Sequence, residues 1–86
     1  MPEISRFFGI IITMYYSDHQ PPHFHVRYGS QKAQVTIDPV SILRGDLLPR
    51  VFGLVAEWAL AHRAELMEDW RLLQNETPPN KIAPLE

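Results

Sequence analysis

The sequence has no cysteine. That absence excludes a disulfide framework, a thiolate-bound zinc and a cysteine nucleophile, and it suits a reducing compartment. No glycine-rich phosphate loop and no G-x-S-x-G serine context occurs, so nothing suggests a nucleotide cofactor or a serine hydrolase. The apolar stretch from Phe7 to Tyr16 is too short to span a bilayer. The start, Met1-Pro2-Glu3, lacks the basic region of an export signal, so a cytoplasmic protein without a membrane anchor is expected. An excess of positive charge is missing too. The net charge of −2 argues against a broad, purely electrostatic nucleic-acid binder. The acid is uneven, however. Glu57, Glu65, Glu68, Asp69, Glu76 and Glu86 all lie in the second half, which leaves room for a local cationic patch in the first.

What is present fits one small domain of 86 residues. FFGIIITMYY, from Phe7 to Tyr16, is rich in β-branched and aromatic residues without helical period, and reads as a strand. Phe8, Ile10, Ile12 and Met14 share one face, and Phe7, Ile11 and Tyr15 the other. A strand apolar on both faces needs cover on both. Helices supply one cover, and a second copy of the chain is expected to supply the other, making a homo-oligomer. SDHQPP, from Ser17 to Pro22, is a turn whose Gln20-Pro21 and Pro21-Pro22 bonds can each be cis. His23 to Tyr28 and Gln31 to Asp38 then form a hairpin around Gly29-Ser30, where glycine first suits a type II′ turn. This register pairs Phe24 with Val35, Val26 with Ala33 and Tyr28 with Gln31 on one face. It pairs His23 with Thr36, His25 with Gln34 and Arg27 with Lys32 on the other.

Pro39 to Leu47 is a connection with a short extra strand near Ser41 to Leu43. From Leu48 the apolar period becomes helical, with Val51, Val55, Trp58, His62, Leu66, Trp70 and Leu73 on one stripe. Asp46 is the expected N-cap, and the helix runs to about Gln74 or bends near His62 to Ala64. Trp58 and Trp70 belong to the core, and His62 is expected to pack there with one hydrogen-bond partner. Glu57, Glu65, Glu68 and Asp69 form a solvated helix face. The expected class is α+β: an antiparallel three- or four-stranded β-meander against one long or two consecutive C-terminal α-helices. Residues 1–75 make the domain, and 76–86 an extended tail that Ile82 and Leu85 dock on the sheet.

The chemistry concentrates in Asp18 to Arg27. His23 and His25, one residue apart on a strand, leave the same face with Cα atoms about 6.5–7 Å apart. That spacing lets both imidazoles reach one divalent, zinc-like ion, with His19 or Asp18 from the preceding loop closing a facial triad. The same residues also suit acid–base chemistry without a metal. His23 and His25 can exchange protons near neutral pH, while Arg27 and Lys32 hold a phosphate, a set suited to cleaving RNA. Two cations directly opposite cost stability, which a bound anion relieves. A purely structural role competes with both: histidines after Pro-Pro can bond backbone carbonyls or stack on Phe24 and Tyr28.

PEISRFFGIIITMYYSDHQPPHFHVRYG, then EWALAHRAEL and DW in the helical half, then KIAPLE, resembles the small bacterial family named domain of unknown function 4160. The likeness covers nearly the whole chain. It is most specific from Pro2 to Tyr28, above all in D-H-x-P-P-H-F-H-V from Asp18 to Val26. The family has no established activity, and no catalytic residues come with the resemblance. It implies a gene standing beside that of another small protein, in pairs that automated readings place among toxin–antitoxin modules. The expectations that follow are a cognate partner protein and an action on RNA or on its own operon.

Overall fold

The computed structural model describes residues 2–86. It is an α+β fold: five antiparallel strands in the order β1-β2-β3-β4-β5, followed by two consecutive helices. The strands are β1 (Glu3–Phe7), β2 (Ile10–Thr13), β3 (His23–Tyr28), β4 (Gln31–Thr36) and β5 (Ser41–Gly45). The helices are α1 (Pro49–Ala61) and α2 (Arg63–Gln74).

The sheet has more strands than the three or four expected, for two local reasons. The single strand expected from Phe7 to Tyr16 is instead a hairpin, in which Phe7 pairs with Ile10 and both Phe8 and Gly9 have positive φ, at 50° and 80°. Positive φ at both central positions makes a tight turn of the kind that matches strand twist. Apolar residues on either side mask it, and Phe8 is 60% exposed at its tip. At the other end Ser41–Gly45 is a full strand, reaching two residues past Leu43. The hairpin around Gly29-Ser30 has the register expected residue by residue, from His23 with Thr36 to Tyr28 with Gln31. Gly29 alone of the turn pair has positive φ, as the first position of a type II′ turn needs.

The helical pattern breaks at His62, within the expected bend, and the imidazole there meets the Glu65 carboxylate through Nδ1 and the Trp58 ring at 5.7 Å. Leu48, not Asp46, is the boundary residue of α1. Pro49 sits at the first helical position, so Asp46 is too far upstream to cap. The Leu48 amide instead donates to Gln31 Oε1, 3.1 Å away on β4.

Both helices pack on one face of the sheet. Trp58 is fully buried, its ring 5.4 Å from Phe7 and 5.8 Å from Phe24. Side chains of this size contribute about 1.5–3 kcal/mol each when fully buried. The indole Nε1 donates to the Ala83 carbonyl at 2.8 Å, which ties the C-terminal segment to the core. Ile82 is buried there, its amide donating to the Ile4 carbonyl at 2.8 Å, and Leu85 is partly buried, so this segment covers part of the β1 edge. Asp69 departs from the expected solvated helix face. It is 1% exposed, because its Oδ1 accepts the Asn80 amide at 2.9 Å and draws the returning chain over it, while Oδ2 is buried without a partner.

Two expectations follow. Gly45 has φ +85, and an added Cβ would lie 2.2 Å from the Lys32 carbonyl oxygen. Gly45→Ala is therefore expected to cost at least about 2 kcal/mol, read as a lowered denaturant midpoint. For Asp69, burial pushes the carboxyl pKa up; the Asn80 amide opposes this, and Glu65 and Glu68 add to the rise. Ionising Asp69 thus costs the folded state more than the unfolded one, and that cost grows as pH rises through the carboxyl range. Asp69→Asn should raise the thermal midpoint above wild type at pH 7, with the gap closing in acid.

Candidate metal centre and the adjoining sheet face

The segment from Ser17 to Pro22 folds back over the start of β3. Ser17 takes a positive φ of 52° and its amide donates to the Leu73 carbonyl at 3.4 Å. The Gln74 side-chain amide donates to the Asp18 carbonyl at 3.0 Å, so the end of α2 holds the turn from outside. Asp18 Oδ1 accepts the His19 amide at 2.8 Å, and the Gln20-Pro21 peptide is cis. The outcome is that Asp18, seven residues before His25 in the chain, places its Oδ2 3.0 Å from His25 Nε2 and 3.1 Å from His23 Nε2.

The two histidines differ in surroundings. His25 is a quarter exposed, hydrogen-bonded to Asp18, with the Tyr15 ring edge-on at 4.3 Å. His23 is fully buried, because the returning turn and Trp70 (ring centroids 5.3 Å apart) cover it. Its Nδ1 lies 2.7 Å from the Pro21 carbonyl. A carbonyl only accepts, so Nδ1 carries the proton, and in the neutral ring Nε2 is a bare lone pair. That buried Nε2 has no hydrogen bond: its 3.1 Å approach to Asp18 is too misaligned to be one. Burial pushes the Asp18 carboxyl pKa up, but the hydrogen bonds from His25 and from the His19 amide, with the neighbouring His23 and His25 imidazoles acting in the same sense, outweigh it. The net position is below the ordinary range, and the group stays a carboxylate.

One ligand atom each from Asp18, His23 and His25 lies within 4.8 Å of the others. His19, expected as a third imidazole ligand, is outside this group. Its ring stacks on His23 at 4.8 Å, its Nδ1 meets the Gln20 carbonyl at 3.1 Å, and its side chain is 55% exposed.

The helix-free face of the sheet adjoins this cluster. Strand pairing sets Arg6, Ile11, Arg27 and Lys32 in one row across β1 to β4. Glu3, Thr13, His25, Gln34 and Arg44 form the next row, across all five strands. These side chains line a concavity of about 610 Å³. Arg6 is bound by Glu3 at 2.8 Å, whereas Arg27, Lys32 and Arg44 make no ion pair among the described residues. Arg27 and Lys32 stand opposite each other as expected. Arg44 and Arg6 are additions that the sequence reading missed. Carrying the alternation through Gln34 into a full β5 would have placed Arg44, and recognising the Phe8-Gly9 turn would have placed Arg6.

A family model described as "Domain of unknown function (DUF4160)" matches residues 9–71, which include the whole cluster. No curated protein and no solved structure matches the chain.

Gln74→Ala removes one of the ties that hold the Asp18 turn. A loss of about 1 kcal/mol is expected, with faster amide exchange in residues 17–20 than in β3. Unchanged exchange there would show that Gln74 does not hold the turn.

Proposed function

The chain belongs to the family of domain of unknown function 4160, a description that assigns no function, and we propose from the site itself that the protein binds a divalent transition metal through Asp18, His23 and His25. One observation carries the reading: the buried Nε2 of His23, its tautomer set by the Pro21 carbonyl, faces a carboxylate without a hydrogen bond. Two acceptors at that distance repel each other, and the contact is too misaligned for a proton on Nε2 to bridge them, whereas a metal cation placed between them would remove the repulsion.

The separations suit this. For metal–ligand bonds of about 2.0–2.2 Å, neighbouring ligand atoms stand roughly 2.8–3.1 Å apart in octahedral sites and roughly 3.3–3.6 Å apart in tetrahedral ones. The two Asp18 contacts, at 3.0 and 3.1 Å, match the octahedral spacing and are slightly short of the tetrahedral one. The second shell fits as well: the Pro21 carbonyl orients His23, and the His19 amide holds the other oxygen of Asp18. Two imidazoles and one carboxylate form a nitrogen–oxygen set for zinc-class ions, with no thiolate. Three protein ligands leave coordination positions open, and His25 is the ligand that borders the concave face. A metal bound there would supply a Lewis acid. The protein would supply the Asp18 carboxylate, the buried Nε2 of His23, and the Nε2 of His25, which would exchange its hydrogen bond to Asp18 for the metal.

Protein made without a histidine tag and stripped with chelator should take up about one Zn²⁺ per chain. Hundredfold excess over Kd should add about 2.7 kcal/mol of stability. Asp18→Asn and His25→Ala should each weaken binding at least tenfold, as loss of a direct ligand requires. His19→Ala should leave binding nearly unchanged. Failure of the wild-type protein to bind, or equal loss with His19→Ala, would overturn the assignment.

A further inference from the structure

We infer that the concave, helix-free sheet face binds single-stranded nucleic acid, its backbone phosphates held by Arg27, Lys32 and Arg44 and one of them brought to the open side of the Asp18–His23–His25 site. The inference rests on the metal reading only for that last element. The cation row stands without it.

The first argument is charge. The protein is net negative, at −2, yet exposed Glu57, Glu65 and Glu68 lie on the helices, on the opposite side of the sheet. Arg27 and Lys32 are directly cross-strand, an arrangement that costs stability when nothing neutralises it. Arg44 stands one row away, beyond Gln34, and no carboxylate of the described residues pairs with any of the three. A face that keeps three such cations together is organised for an anion.

The second argument is length. Strands lie about 4.8 Å apart, so Arg27 on β3, Lys32 on β4 and Arg44 on β5 together span about 10 Å. That is more than one phosphate group covers, and it fits successive phosphates of one strand. The third argument is what lies between the cations. Ile11 is only half-buried between Arg6 and Arg27, and the Tyr15 ring stands on His25 in the next row. Apolar and aromatic surface set among cations suits unpaired bases, which expose faces that a duplex hides. His25 connects the two sites. It is two residues from Arg27 along β3, about 6.5–7 Å, so a phosphate held by Arg27 lies beside the metal ligands.

The test is fluorescence anisotropy of a labelled mixed-sequence oligoribonucleotide against zinc-loaded and chelated protein over a series of salt concentrations. The expected dependence of log affinity on log salt has a slope of about −2, for three phosphates at roughly 0.7 each. Arg27→Ala, Lys32→Ala and Arg44→Ala should each weaken binding and flatten the slope by about 0.7, while zinc uptake stays at one per chain. Absent or salt-insensitive binding, or variants that bind like wild type, would overturn the inference. Displacement of the strand by inorganic phosphate at matched phosphate concentration would also overturn it, because a single-phosphate pocket would then suffice. Strand binding that persists in a protein taking up no zinc supports the cation row and removes only the metal. Zinc uptake without strand binding ends this inference and leaves the metal site standing.

Discussion

An imidazole buried in a protein has two nitrogens to satisfy, and the choice made at one decides what the other can do. At His23 the Nδ1–H donates to the Pro21 carbonyl, which in the neutral ring leaves Nε2 as an acceptor in a place closed to water. Much of the local structure serves that arrangement. The turn from Ser17 to Pro22 brings Asp18 over the ring, α2 ties the turn through Leu73 and Gln74, and Trp70 packs against the same imidazole. A buried acceptor beside a carboxylate is a standing cost, and folded domains in general are stable by only about 5–15 kcal/mol. Structure built around such a cost points to a cation that removes it.

The position of each feature in the fold explains how readable it was from the sequence. The β3–β4 register was legible because apolar and polar residues alternate strictly from His23 to Thr36, and a slip by one would have mixed the two faces. The core roles of Trp58 and Trp70 were legible from the 3.6 period, whereas the same period suits one long helix as well as two and does not by itself choose the break at His62. The β1–β2 turn was not. Phe8 is a poor turn residue, and only Gly9 marked the place inside a continuous apolar string. Asp69 was misplaced because helical period assigns a face, whereas its burial comes from Asn80, eleven residues later in the chain.

The site divides in the same way. That His23 and His25 share a side of β3 followed from period two alone. That Asp18 rather than His19 completes the group did not, because loop residues have no period, and adjacent residues in a tight turn point in unrelated directions. The hydrogen bond from the His19 amide to the Asp18 side chain leaves Asp18 Oδ2 facing the strand, while the His19 ring stacks outward on His23. Full burial of His23 was equally out of reach, since the cover comes from α2, beyond residue 62.

The two faces of the sheet carry opposite solutions to one problem. On the helix side Ile4, Ile10, Ile12, Phe24 and Val35 are buried to 0% exposure in one core with Trp58, Leu66 and Leu73 of the helices. On the other side the same strands present cations, one partly exposed histidine and a half-buried isoleucine, with no strand or helix of the described residues laid over them. A second copy of the chain placed there would bring like charges together at Arg27, Lys32 and Arg44, which repel at contact distance unless an anion intervenes. Ile11 and Tyr15, two of the three residues whose apolar character led to the expectation of cover by a second copy, therefore stand among like charges that such a copy would have to offset.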